Sequence, residues 1–181
     1  MKDNTSTSNK GFIVLPVDKL VKADWNYKLN DDYLHEKLLN NFKRNGQIEN
    51  IIVRELDTGF YEVVNGNHRL DVIKELNFDK VYCFNLGKIS TQQAQRIAVE
   101  VNETRFRNDE YSLAKVFQDI LNEYDMSDLM ESIPFTEKEI EDYINLTNLP
   151  IYNIEEPQNK EEDEENKESI VCPKCGYVFT P

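Results

Sequence analysis

The sequence predicts an α+β fold, a small mixed sheet followed by a helical extension. Short apolar runs alternate with segments of helical period through residues 11–103, and only helical periods follow up to about residue 150. A length of 181 residues suits one domain with an appendage. The expected parts are a polar N-terminus (1–10), a sheet domain (11–108), a helical extension (109–150), an acidic linker (151–169) and a short C-terminal knuckle (170–181).

The first half of the chain contains a strand, a helix and a hairpin. The apolar run 12–17 predicts a strand, and Pro16 places it at a sheet edge or a strand end. Asp31 or Asp32 can cap a helix that runs to about residue 45, where Gly46 stops it. Residues 51–53 predict a buried strand, and the turn at 57–59 leads to a partner strand ending at Val64.

The stretch Tyr61–Glu75 organises the rest, because a strand passes through a glycine turn directly into a helix. Gly66 permits a close backbone approach, and the start of the helix presents free N–H groups, which together suit an anion. Arg69 adds a planar, charged fork to such a site. The alternative is a tight connection in which Arg69 pairs with Asp71 or Glu103 and His68 covers the helix end.

The second half of the sequence predicts one further strand and then helices. Residues 81–84 predict a strand with Cys83 as a small core residue. Capping boxes begin helices at Ser90 and at Thr136, and a helix over 109–124 lies between them. Trp25 and Tyr27, in a polar loop nearer the N-terminus, are expected to plug the core.

Composition and charge narrow the classes of function. The formal net charge of −13 argues against broad nonspecific affinity for nucleic acid, which needs clustered Lys and Arg. No apolar run approaches the ~18 residues of a membrane span, and the polar start of the chain lacks the apolar segment of a signal peptide. A cytoplasmic protein without membrane association is therefore expected. Three cysteines make no disulfide framework.

Three local patterns stand in order along the chain: Gly46-Gln47, then Gly66-Asn67-His68-Arg69, then Asn102-Glu103-Thr104-Arg105. Together they resemble the ParB/sulfiredoxin superfamily, and specifically the ParB N-terminal domain, over about residues 11–125. The resemblance implies a pocket for a nucleoside triphosphate, CTP or ATP, with Mg²⁺. Its implied residues are Gly46 and Gln47 near the base, the turn residues Gly66, Asn67, His68 and Arg69 at the phosphates, and Asn102 and Arg105 at metal or phosphate.

Departures from the family pattern restrict the chemistry. Val101 stands where ParB proteins typically carry an acid, which removes a carboxylate that could orient metal or water for hydrolysis. Asn67 stands where sulfiredoxin carries its cysteine, so thiol chemistry is not expected. Nuclease activity is not expected, since no spacing singles out a metal-binding pair of acids. The catalytic residues are unassigned.

The leading hypothesis is a ParB-like nucleotide-binding protein that acts in DNA partitioning or another DNA transaction. Alternatives are a weak nucleoside triphosphatase, an ATP-dependent phosphotransferase, hydrolase or nuclease on the same fold, and a non-enzymatic dimeric adaptor. Residues 126–143 contain six acids and one lysine, so they favour packing or protein interaction over direct reading of DNA. DNA is expected to be reached through partners or an extension.

The C-terminal Cys172-Pro173-Lys174-Cys175-Gly176 has the form of half a zinc ribbon. Structural zinc usually takes four ligands, so Cys172 and Cys175 would need a second copy of the pair, most simply from a homodimer. The alternative is a redox or vestigial cysteine pair.

Overall fold

A five-stranded mixed sheet lies at the centre of the larger part of the protein. The computed structural model describes residues 10–148, 170–171 and 173–179. The chain divides into two compact units, Met1–Asn148 and Leu149–Pro181, which are described separately. The strands of the sheet are β1 (Gly11–Pro16), β2 (Leu20–Lys22), β3 (Ile51–Glu55), β4 (Tyr61–Asn65) and β5 (Lys80–Asn85). The predicted α+β class is confirmed.

Six helices of the described residues accompany the sheet: α1 (Asp32–Asn45), α2 (Asn67–Glu75), α3 (Thr91–Glu103), α4 (Glu110–Leu121), α5 (Met126–Ser132) and α6 (Glu137–Thr147). Their ends follow the local sequence. Asp31 caps α1 by accepting from the N–H of Leu34 at 3.0 Å, and Gly46 ends it. Both capping boxes predicted from the sequence, at Ser90 and at Thr136, are formed.

The strand order is β1-β5-β3-β4-β2. β1 pairs with β5 and β3 with β4 in antiparallel fashion, whereas β3–β5 and β2–β4 are parallel pairs. Pro16 is the last residue of the edge strand β1, as its missing N–H requires. β2 and the 3₁₀ turn before it were not predicted, because Val17–Lys22 is short and mixes charged with apolar residues.

The two faces of the sheet carry separate apolar clusters. One contains fully buried residues of β3, β4, β5 and α2, together with Phe42 of α1. The other packs Ala94 and Ala98 of α3 against Val64, with Trp25 at its border. The predicted packing role of Trp25 is therefore confirmed, whereas Tyr27 remains 44% exposed. The Gly66 turn lies directly after the C-terminal end of β4.

The helices α4, α5 and α6 share a third cluster, which contains Phe117, Leu129 and Ile140. α5 also packs against α1, where Arg44 contacts Asp128 through both of its terminal nitrogens. No helix in the described part of the chain is long and apolar enough to cross a membrane.

The second unit contains a small antiparallel pair, β6 (Ile170–Val171) and β7 (Val178–Phe179). The turn between them passes through residues 173–175, and Gly176 follows it with φ +73°. The glycine thus supplies a left-handed backbone conformation that other residues rarely adopt.

Candidate functional site

The turn between β4 and α2 forms the floor of a cleft. Gly66 has φ +106° and ψ 27°, a left-handed conformation suited to glycine, and it precedes the first residue of α2. A Cβ at this position would lie 3.2 Å from Nε of Arg69, because that side chain folds back over the turn. Gly66 offers no side chain to cap α2. The start of α2 therefore lies beside the cleft without a side-chain cap on its first N–H groups.

Arg69 is held by three contacts, and its side chain is only 14% exposed. Nη1 donates to the carbonyl oxygen of Asn50 at 2.9 Å and to Oε2 of Glu49 at 2.9 Å. Nη2 donates to Oδ1 of Asn65 at 2.7 Å. Burial lowers the pKa of Arg69; Glu49 opposes this effect, and the like charge of Arg105 adds to it. A buried, fixed guanidinium of this kind is preorganised for an anion.

A chain of hydrogen bonds runs from Arg69 to the opposite wall. Asn65 accepts from Arg69 and donates through Nδ2 to Oδ1 of Asn102 at 2.9 Å. Asn102 donates to the hydroxyl of Tyr27 at 3.0 Å, and that hydroxyl donates to Glu103 at 3.2 Å. A cation at one end and a carboxylate at the other set the direction of every bond. Two of the three predicted segments, Gly66–Arg69 and Asn102–Arg105, are thus joined through Asn65, which belongs to neither.

Two basic side chains line the cleft without being engaged. Arg105 is exposed and His68 half-buried, and within the described residues neither makes a hydrogen bond or an ion pair. The cleft measures about 240 Å³. Its lining includes Gly66, Asn67, His68, Arg69, Asn102 and Arg105 among the predicted site residues.

Asn67 lies in the turn but points inward. It is 5% exposed, and its Oδ1 accepts from the backbone N–H of Ala23 at 3.2 Å. This bond ties the segment after β2 to the start of α2. The side chain of Asn67 therefore holds the turn in position beside the cleft.

Gly46 and Gln47 lie outside the residues that line the cleft. Gly46 ends α1, and its N–H donates to the carbonyl of Phe42 at 2.8 Å. The amide of Gln47 donates to the carbonyl of Tyr82 at 2.8 Å and accepts from the N–H of Tyr82 at 2.8 Å. It thus pairs with β5 as a neighbouring strand would. Contact of these residues with a base stays a prediction.

The alternative partners considered for Arg69 are engaged elsewhere. Asp71 pairs with Lys22 at 2.7 Å, and Glu103 pairs with Lys28 at 3.0 Å. The hydrogen bond from Lys28 lowers the pKa of Glu103 most, and the hydrogen bond from Tyr27 adds to this effect. The alternative in which Arg69 pairs with Asp71 or Glu103 is therefore wrong: its carboxylate partner is Glu49, which precedes β3.

Sequence reasoning missed Asn65, Glu49 and the hydroxyl of Tyr27 as parts of the site. Asn65 carried a usable signal, since a polar residue at the end of a buried strand needs partners for its amide. Trp25 also lines the cleft, and its Nε1 is buried without a partner in the described structure. Nothing local in the sequence pointed to that donor.

The predicted zinc site falls partly outside the described residues, since Cys172 is not among them. Cys175 is an exposed free cysteine. In the described part of the chain no three His, Cys, Asp or Glu side chains cluster as a metal site would require. Cys83 is fully buried in the core as predicted, and burial raises its pKa to about 12, which leaves it a poor ligand or nucleophile. Zinc binding stays a prediction.

A mixed sheet flanked by helices, with a glycine-arginine turn and an Asn-Arg segment lining one cleft, defines the class of this α+β domain. Residues 1–103 match the ParB N-terminal domain family, and the chain belongs to this family. The superfamily resemblance seen in the sequence is thereby confirmed at the level of this domain.

Individual relatives are distant. A nucleoid occlusion protein from Listeria innocua serovar 6a is 22% identical over 175 residues, which are 95% of this chain and 61% of the relative. Nucleoid occlusion protein from Listeria monocytogenes serotype 4b is 22% identical over 161 residues, 87% of this chain and 56% of the relative. The chain therefore spans about 60% of the length of these curated relatives.

The fold resembles that of a C-terminally truncated chromosome-partitioning protein ParB from Caulobacter crescentus, solved in complex with CTP-γ-S. The TM-score is 0.65 at 19% sequence identity, over 78% of this chain and 81% of the other. At this identity the likeness concerns the fold.

Proposed function

We propose that the cleft binds a nucleoside triphosphate, CTP or ATP, together with Mg²⁺, and that the protein serves DNA partitioning or a related DNA transaction. The observation that carries this proposal is the Gly66 turn. The Arg69 side chain is fixed over this turn, and its guanidinium lies beside the start of α2, which has no side-chain cap. Backbone N–H groups and a rigid guanidinium are the donors that a phosphate chain requires.

Charge supports the same ligand class. The chain as a whole carries −13, yet the cleft holds two basic side chains, His68 and Arg105, without hydrogen bonds or ion pairs in the described residues. The like charge of Arg105 also contributes to the lowered pKa of Arg69, so the guanidinium groups of Arg69 and Arg105 repel each other. A polyanion between them relieves that repulsion.

The residues present are compatible with Mg²⁺ that arrives with the nucleotide. This ion is commonly held by one or two protein oxygens together with substrate phosphates and water, so it needs no dedicated cage. Glu49 and the side-chain oxygen of Asn102 are oxygen ligands among the lining residues. They would hold the ion, whose charge would offset that of the phosphates.

The relatives bear on the nucleotide and on the process. The ParB structure holds CTP-γ-S, which favours CTP among the candidates, and the names of the relatives concern chromosome partitioning and nucleoid occlusion. Acidic side chains of α5 serve packing, since Asp128 and Glu131 both pair with Arg44 of α1. We therefore propose that DNA is reached through a partner or another segment rather than through α5.

The test is a thermal-shift panel of CTP, ATP, GTP and UTP, each with and without Mg²⁺. We expect CTP or ATP with Mg²⁺ to raise the melting temperature of the wild type. Arg69→Lys, which keeps the charge but loses the fork, should weaken the response, and Arg69→Ala should remove it.

Arg96→Ala is the matched control. Arg96 pairs with Glu100 on the surface of α3 and does not line the cleft, so this variant loses the same charge and should respond like the wild type. Absence of stabilisation by all four nucleotides would overturn the proposal. Equal loss in the Arg69 and Arg96 variants would instead point to a general charge effect.

A further inference from the structure

Glu49 differs from the other two partners of Arg69 in its freedom to move. The carbonyl of Asn50 belongs to the backbone just before β3, and Asn65 is an 8% exposed residue of β4. Glu49 contacts Arg69 by an exposed side chain that keeps 65% of its surface accessible. Its carboxylate is therefore the contact that can leave while the guanidinium stays in place.

The carboxylate of Glu49 also occupies the place that a ligand anion would seek. It lies 2.9 Å from Nη1 of Arg69 and lines the same cleft as Arg105 and His68. A carboxylate and a phosphate present similar oxygen acceptors to a guanidinium, so both compete for the same donors. Arg69 cannot satisfy both fully, because Asn50 and Asn65 already take part of its donor capacity.

We propose that Glu49 is an internal competitor, a carboxylate that occupies Arg69 until a ligand phosphate displaces it. The inference rests on the proposed function. Its consequence is a threshold: a small anion that gains little beyond Arg69 does not displace Glu49 efficiently. A phosphate chain that also reaches His68, Arg105 and the start of α2 gains enough contacts to do so.

The solvent exposure of Glu49 sets how strongly it competes with a ligand for Arg69. An ion pair with one largely solvated partner contributes little, and breaking it weakens a competing ligand by roughly two- to fivefold. A factor of this size matters for orthophosphate, which has few other contacts to gain. It is small against the contacts available to a triphosphate.

Isothermal titration with orthophosphate, inorganic tripolyphosphate and CTP, without divalent cations, tests the inference in three variants. Glu49→Gln removes the competing charge and should tighten binding of all three ligands by roughly two- to fivefold. Glu49→Asp keeps the charge but is shorter by one C–C bond of about 1.5 Å, so its carboxylate falls short of Nη1. We expect this variant also to bind more tightly than the wild type, because the contact rather than the net charge is responsible.

Asp57→Asn is the control for charge alone. Asp57 is 93% exposed, pairs with Lys88, and lies in the loop at the opposite end of β4 from Gly66. This variant changes the net charge as Glu49→Gln does and should bind like the wild type. Melting temperatures of the free variants establish that each is folded.

Each remaining outcome counts against the inference. Wild-type affinity in Glu49→Gln, or weaker binding there, overturns it while leaving the proposed function intact. If Glu49→Asp binds with wild-type affinity, the effect comes from net charge and not from the contact with Arg69, and the inference is overturned. If CTP binds neither the wild type nor any variant, with or without Mg²⁺, the proposed function fails and the inference fails with it.

Discussion

At the residue scale, the missing side chain of Gly66 decides where the key arginine of the cleft can lie. The backbone there has φ +106°, and a Cβ would stand 3.2 Å from the Arg69 side chain. A larger residue would therefore bear two separate costs, one in the backbone and one at Arg69. Gly59 carries a positive φ of +80° but has nothing within 4 Å of the same hypothetical Cβ. The two glycines thus allow the costs to be separated.

We expect Gly59→Ala to lower the free energy of unfolding by about 1–2 kcal/mol, the penalty of a left-handed backbone for an L-residue. Gly66→Ala should lower it further, because the Arg69 side chain must also shift. Urea unfolding measures both. Only Gly66→Ala should weaken nucleotide binding; equal effects of the two variants on affinity would contradict the role given to Arg69.

At the element scale, Gln47 acts as an extension of a strand. Its amide makes both hydrogen bonds to Tyr82 that the backbone of a neighbouring strand would make, just before β3 begins its parallel pairing with β5. The turn after α1 is thereby fixed against the sheet. The sequence pattern Gly46-Gln47 is accounted for by this structural role, while its contact with a base remains to be tested.

Gln47→Ala should lower the free energy of unfolding by about 1–2 kcal/mol, since two hydrogen bonds to the backbone are lost. Thermal unfolding measures the loss, and titration with CTP should show affinity within about twofold of the wild type. Gln118→Ala is the matched control, because Gln118 donates to the side chain of Thr147 in the helical extension. A Gln47→Ala variant of unchanged stability that no longer binds nucleotide would favour the base contact instead.

At the scale of the larger unit, α1 connects the sheet to the helical extension. It covers one face of the sheet through Phe42 and contacts α5 through Lys37 and Arg44. Lys37 donates to the carbonyl of Met130 at 2.7 Å, and Arg44 to that of Asp128 at 2.9 Å. These bonds satisfy carbonyls of the short helix α5 and fix it on α1.

Arg44→Ala should loosen α5 without disturbing the sheet. The ion pair with Asp128 is partly solvated, so we expect a loss of about 1 kcal/mol in the free energy of unfolding. Amide hydrogen exchange should quicken in α5 more than in β3. The Arg96→Ala variant, which loses a surface pair within one helix, should leave both regions as in the wild type. Unchanged exchange in α5 would show that its apolar contacts suffice.

Much of the fold could be predicted from the sequence, and so could the Gly66–Arg69 turn of the site, because these features depend on residues that are neighbours in the chain. Helix caps at Asp31, Ser90 and Thr136 join residues three apart, and the Gly66 turn is specified by a strand, a glycine and a helix in succession. The order of the three motifs was enough to indicate the family. Periodicity and capping are local, so a single chain reveals them.

The tertiary structure decided which of these residues face the cleft and which hold it together. Asn67 turns inward to Ala23, Gln47 turns to Tyr82, and Arg69 takes Glu49 as its carboxylate partner rather than a residue near it on α2 or α3. Tyr27 meets Asn102 across 75 positions of the chain. Such partners are set by the packing of strands and helices that are distant in sequence, so no local pattern specifies them. The Gly66 turn and the place of Arg69 on it are instead specified by adjacent residues of the chain.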